Sequence, residues 1–142
     1  MKIILALDDD NGMMFNKRRQ SQDAAVREKI KELTKGGKLW LNDYSGRQFA
    51  DMGIDLCVDE DFLSKAGPGE YCFVENMGIL AVAEEVEEFV IFRWNRKYPG
   101  DFYPDLLPWE HGFLCSGSEE FQGRSHDKIT MEVWSKGKCC IL

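Results

Sequence analysis

One α/β domain built on a mixed central sheet is expected here, and three features of the chain lead to it. Strand-like apolar runs alternate with helix-like segments, the pattern of crossover connections in a parallel sheet. Residues 2–7 (apolar from Ile3 onward) and 72–74 lack the polar alternation of a half-exposed strand, so both are expected near the sheet centre. The tail then offers two strand candidates, 112–115 and 129–134, joined by the polar loop Gln122–Asp127, which suits an antiparallel pair. At 142 residues and 44% hydrophobic content the chain has one domain's length and one core's worth of apolar side chains. No repeat, low-complexity stretch or linker divides residues 1–142, and six to eight strands are expected.

Taken in order, strand 2–7 ends at Asp8-Asp-Asp-Asn-Gly12, where Asn-Gly supplies a cheap turn. Met13–Phe15 leads into a polar loop, 16–21. A helix begins at Ser21 or Gln22 with Asp23 in its first turn, where a carboxylate suits the dipole. Ala24, Ala25, Ile30 and Leu33 make its apolar stripe, and Gly36-Gly37 stops it. Leu39–Leu41 is the next strand, 42–45 a polar turn, and 46–52 a short helix closed by Gly53. Ile54–Val58 is a strand, and Ala66-Gly-Pro-Gly69 is a turn. Strand 71–74, a short crossover helix within 79–88, and strand 89–94 complete the alternation. Trp40 and Trp94 fall inside strands and are expected in the core. Phe102, Tyr103 and Trp109 lie in a Pro-containing loop, either packed on the sheet edge or exposed as an aromatic anchor.

The formal charge of −7 argues against nucleic acid, whose phosphates demand a basic surface. No apolar run is long enough to span a bilayer, and 1–7 is too short for an export signal. Five cysteines at irregular spacing, two of them in strand-like runs, fit reduced thiols and a cytoplasmic location. His111 and His126 are the only histidines, and neither stands at metal-ligand spacing, so no metal is expected. Gly-x-Ser-x-Gly, a P-loop and Cys-x-x-Cys are absent. Cys139–Leu142 has the form of a prenylation box, but no polybasic run precedes it.

The order of these pieces resembles the dihydrofolate reductase-like family, including its riboflavin-pathway reductases. The similarity lies in strand 2–7 running into Asp8–Gly12 and in Leu39–Ser45, which is similar to a strand followed by Gly-x-x-Thr. It continues in the strand–helix–strand Cys72–Trp94 and in Pro99-Gly-Asp-Phe-Tyr-Pro104, similar to Gly-Asp-x-x-Phe-Pro. The resemblance implies that fold, NADPH as cofactor, and a substrate-binding acid in the first helix. Similar small bacterial proteins carry the label ribonuclease Z, but a metallo-β-lactamase-type nuclease needs a His/Asp cluster that two histidines do not supply.

The departures from the family bear on chemistry. Its cofactor glycines correspond to Glu75, Asn76 and Met77, and the glycine of its hydroxyl motif to Asn42, with Ser45 retaining the hydroxyl. Phosphate binding needs close backbone approach and bare N–H groups; side chains obstruct it, and Glu75 repels pyrophosphate. No cofactor is therefore expected. Asp23 is either the family's substrate acid or a surface carboxylate at a helix start. Arg18 and Arg19 either clamp an anion or balance Asp8–Asp10 in solvent. Asn76 is either part of a site or a helix N-cap.

The site expected from this reading is a crevice at the ends of the strands before Asp8, Asn42 and Glu75, covered by the loop carrying Arg18 and Arg19. Substitution of Arg18 or Glu75 is expected to matter, and changes at His111 or His126 little. The function expected is a non-reductase binding domain for a small molecule or a basic protein partner, such as a toxin neutralised by an acidic immunity protein. The alternative is an NADPH-dependent reductase with unusual cofactor contacts.

Overall fold

The structure is a computed structural model that describes residues 1–136; the Cys139–Leu142 motif lies outside them. In chain order the strands and α-helices are β1 (Lys2–Leu7), β2 (Met14–Phe15), β3 (Arg18–Arg19), α1 (Ala24–Leu33), β4 (Lys38–Leu41), α2 (Asp43–Gly46), β5 (Asp55–Val58), β6 (Tyr71–Phe73), β7 (Glu88–Arg93), β8 (Phe113–Phe121) and β9 (Ile129–Lys136). Seven strands form one mixed sheet in the order β5-β4-β6-β1-β7-β9-β8. The first five are mutually parallel, and β9 and β8 add antiparallel to β7. The apolar β1 stands at the centre with β6 beside it, as their composition requires.

Alternating side chains of β1 feed two cores. Ile3, Leu5 and Leu7 pack on one face with Cys72, Phe89 and Ile91; Ile4 packs on the other with Phe73, Val90, Phe92 and the Val26–Ile30 stripe of α1. Trp94 is buried and Trp40 is packed against the first core. Phe102 and Trp109 also pack there, Trp109 against Trp134, whereas Tyr103 is exposed. Among the described residues no helix is long and apolar enough to cross a membrane.

Several local expectations are corrected. The loop 16–21 contains a hairpin: β2 and β3 pair around Asn16-Lys17, both at positive φ (51° and 62°), the signature of a type I′ turn. Asn42–Ser45 is not a turn before a helix, because α2 starts at Asp43, capped by the Asn42 side chain on Ser45 N–H at 3.0 Å, and Arg47–Phe49 continues as 3₁₀. The crossover helix is a 3₁₀ segment, Leu80–Glu85. Its first N–H groups are satisfied by Asp105 rather than by Asn76, with Oδ1 accepting from Ile79 at 2.7 Å and Leu80 at 3.1 Å. The tail strands are longer than expected, β8 reaching Phe121.

Candidate functional site

The order β4-β6-β1 makes neighbours of the three strands that end before Asn42, Val74-Glu75 and Asp8. Parallel strands share a direction, so all three residues emerge at one sheet edge, where open α/β sheets form their crevices. Each side chain is spoken for by the protein itself.

Asp8 is buried and organises the turn that follows it. Its Oδ1 accepts from Asp10 N–H at 2.9 Å and Gly12 N–H at 2.7 Å; its Oδ2 accepts from Gln20 Nε2 and Tyr98 N–H, both at 3.2 Å. Asn42 caps α2 with its oxygen and donates its Nδ2 to Asn76 Oδ1 at 2.8 Å, tying the ends of β4 and β6 together. Asn76 is thus a strand-to-strand link and not a helix cap.

Glu75 is the centre of the crevice. Arg19 donates both Nε to Oε2 at 2.8 Å and Nη2 to Oε1 at 2.9 Å, a bidentate pair. Ser45 Oγ also donates to Oε1 at 2.7 Å and Gln48 Nε2 at 3.1 Å, so Oε1 takes three donors and Oε2 one. The Arg19 guanidinium also lies 4.6 Å from the Tyr44 ring centroid, and Arg19 N–H donates to Tyr44 Oη at 3.0 Å. Hydrogen bonding to Glu75 pushes the Arg19 guanidinium still higher, against its own burial. The hairpin is thereby clasped shut over the crevice. Glu75 is therefore not a bare charge but one half of a completed ion pair. Arg19 and Asp8–Asp10 do not pair with each other: Lys97 is the partner of Asp10, at 3.5 Å.

Asp23 is not a surface carboxylate. It is 3% exposed, is the N-cap of α1, and accepts from Ala25 N–H at 2.8 Å. The loop between β8 and β9 supplies the remaining donors: Arg124 N–H at 2.9 Å, Ser125 N–H at 2.8 Å, Ser125 Oγ at 3.0 Å and His126 Nδ1 at 3.0 Å. Burial opposes its ionisation, but the donors from Arg124, His126, Ser125 and Ala25 outweigh it and hold its pKa well below the ordinary carboxylate value. His126 is also buried, stacked 4.7 Å from Trp94, with its Nε2 at 3.0 Å from Ser21 Oγ and 2.9 Å from Tyr98 Oη. His126 is thus a buried partner of Asp23, Ser21 and Tyr98. No spacing signal could reveal it, because Asp23 and His126 are 103 residues apart and meet only when the β8–β9 loop folds onto α1.

Little room remains between these groups. The space bounded by Ser21, Asp23, Gln48, Phe49, Glu75 and Trp94 is a cavity of about 20 Å³, whereas a small-molecule site holds on the order of 300–1,000 Å³. Open space lies on the outer side of the hairpin, in a hollow of about 270 Å³ walled by Phe15, Arg18, Arg19, Gln20, Tyr98 and Pro99. Arg18 is exposed there, and among the described residues it has no carboxylate within ion-pair distance. A larger hollow of about 1060 Å³ lies at the opposite end of the sheet, between the end of α1 and the starts of β4 and β5, far from all the expected site residues. Among the described residues no group of three His, Cys, Asp or Glu side chains is placed to hold a metal.

No protein-family model and no curated protein matches this sequence. Solved structures do match. One is a dihydrofolate reductase from Enterococcus faecalis complexed with NADP(H) and RAB-propyl, at a TM-score of 0.68 and 12% identity over 96% of both chains. The seven-stranded mixed sheet, its crossovers and that superposition together identify the architecture: the chain has the dihydrofolate reductase-like fold.

Proposed function

We propose that this chain is a non-reductase binding domain on a dihydrofolate reductase-like scaffold, taking a small anionic molecule in the hollow beside Arg18. The observation that carries the reading is the Arg19–Glu75 clasp, which fills the crevice and leaves the hollow as the adjoining open space. Arg18 supplies the charge, and Phe15, Tyr98 and Pro99 supply apolar and aromatic walls. The reductase alternative is disfavoured twice over. Side chains stand where the cofactor glycines would be, and Asp23 has its oxygens committed to five donors of its own chain. A basic protein partner, the immunity-protein case, is supported by the net charge of −7 and is the second reading.

Titration by calorimetry separates these. NADPH is expected to give no binding, and a micromolar Kd would restore the reductase reading. Benzoate and phenyl phosphate serve as small anionic probes; binding that weakens about tenfold in Arg18→Ala, the cost of one exposed charge-assisted hydrogen bond, supports the proposal. Probes that bind neither form leave the basic-protein reading in its place.

A further inference from the structure

Ser21, His126 and Asp23 stand in the relationship of nucleophile, general base and orienting carboxylate. Ser21 Oγ is 3.0 Å from His126 Nε2, and His126 Nδ1 is 3.0 Å from Asp23 Oδ2. Asp23 is buried and held by backbone N–H groups of Ala25, Arg124 and Ser125, so its position is set independently of the imidazole. An ionised Asp23 fixes the proton of His126 on Nδ1 and leaves Nε2 as the acceptor, the tautomer a general base needs. Trp94 stacks on the ring and fixes its plane.

Tyr98 completes the arrangement. Its hydroxyl lies 3.3 Å from Ser21 Oγ and 2.9 Å from His126 Nε2; its single proton, given at rest to one of these, can turn to the carbonyl oxygen of an ester held at Ser21. Tyr98 is also a wall of the 270 Å³ hollow that holds Arg18; Ser21, partly exposed and bonded to Tyr98 Oη, follows directly on the hollow's wall residue Gln20 and itself borders the cavity of about 20 Å³. We propose that Ser21 is the nucleophile of an ester-hydrolysing site whose substrates are small carboxylic esters bearing an anionic group. The anionic part of this assignment rests on the binding reading above; the nucleophile does not.

The chemistry balances with water as co-reactant. Ser21 Oγ attacks the ester carbonyl carbon and its proton passes to His126 Nε2, while Tyr98 Oη donates to the carbonyl oxygen as it becomes an oxyanion. Collapse breaks the bond to the alcohol, which leaves with the proton from His126. Water then attacks the acyl-serine with His126 again as base, releasing the carboxylic acid and restoring Ser21.

The test is covalent labelling of the full chain with a fluorophosphonate, followed by intact mass and peptide mapping. In that reaction Ser21 Oγ bonds to phosphorus, fluoride leaves, and the proton goes to His126. One adduct on Ser21 is expected, absent in Ser21→Ala and slowed at least about 100-fold in His126→Asn, with circular dichroism checking that each variant folds. Asp23→Asn, a change at a positioning residue, should slow labelling and displace its pH profile rather than merely scale it. Failure of Ser21 to react over hours of excess reagent, or equal labelling in Ser21→Ala, overturns the nucleophile whatever the other variants do. Hydrolysis of p-nitrophenyl hemisuccinate against neutral p-nitrophenyl acetate addresses the substrate class. Arg18→Ala should raise KM about tenfold for the anionic ester and not for the neutral one. Equal effects on both esters would overturn the anionic assignment and the binding reading while leaving the labelled serine standing.

Discussion

Asp23 shows how one side chain can be chemically committed by its surroundings. Burial raises its pKa, but the donors from Arg124, His126, Ser125 and Ala25 outweigh that, so its folded pKa is depressed. A depressed carboxylate contributes stability that is fully present above its unfolded value, 3.8, and lost as pH falls below it towards the folded value. Asp23→Asn should therefore flatten the acid limb of a pH–stability curve, measured by urea unfolding at stepped pH. His126 and the backbone of Arg124 and Ser125 face the same carboxylate, and Asn leaves them one acceptor oxygen. Gly123 is the other constraint on this cluster. A Cβ there would lie 2.6 Å from Asp23 Oδ2, 2.7 Å from Ile129 Cδ1 and 2.8 Å from the His126 carbonyl oxygen. Backbone and buried partners yield little, so Gly123→Ala should cost about 2 kcal/mol or more in thermal or urea unfolding.

The β2–β3 hairpin owes its position to Arg19 rather than to its own two-residue strands, which are too short to persist alone. Glu75→Gln keeps the shape of the partner and removes its charge, leaving a guanidinium that is largely covered. It should destabilise the protein by about 3 kcal/mol and speed hydrogen exchange most at the hairpin amides. The 3₁₀ segment Leu80–Glu85 depends likewise on a remote residue. Asp105→Ala strands the N–H groups of Ile79 and Leu80 and should cost about 1 to 2 kcal/mol, read as a lowered urea midpoint with the m-value unchanged.

Across the sheet, protection should follow strand position. β1, buried on both faces and paired on both edges, is expected to exchange slowest. β8, exposed along most of its length and an edge strand, should exchange fastest of the seven. Native-state hydrogen exchange checks that gradient, and a slow β8 would contradict it. The two functional readings rest on adjoining groups. The clasp closes the β4–β6–β1 edge and the Ser21–His126–Asp23 group joins α1 to the hairpin β8–β9, yet both border the same cavity of about 20 Å³.

Local chemistry along the chain was sufficient for the mixed α/β sheet, the central apolar strands and the strand ends that carry Asp8, Asn42 and Glu75. Strand direction and hydrophobic period follow from a few neighbouring residues at a time. The same reasoning brought a loop arginine to a crevice carboxylate, because a single polar loop leads into that edge. It failed where the decisive partner is distant in sequence. Asp23 has the local look of a surface helix cap until the loop 123–126, a hundred residues on, buries it. His126 looks unaccompanied until Asp23, Ser21 and Tyr98 converge on its two ring nitrogens. The crossover segment, apolar enough for an α-helix, is 3₁₀ with its first N–H groups held by Asp105. Short-range patterns encode elements and their order; which polar groups meet, and whether a crevice stays open, is set by long-range packing that no window of neighbouring residues contains.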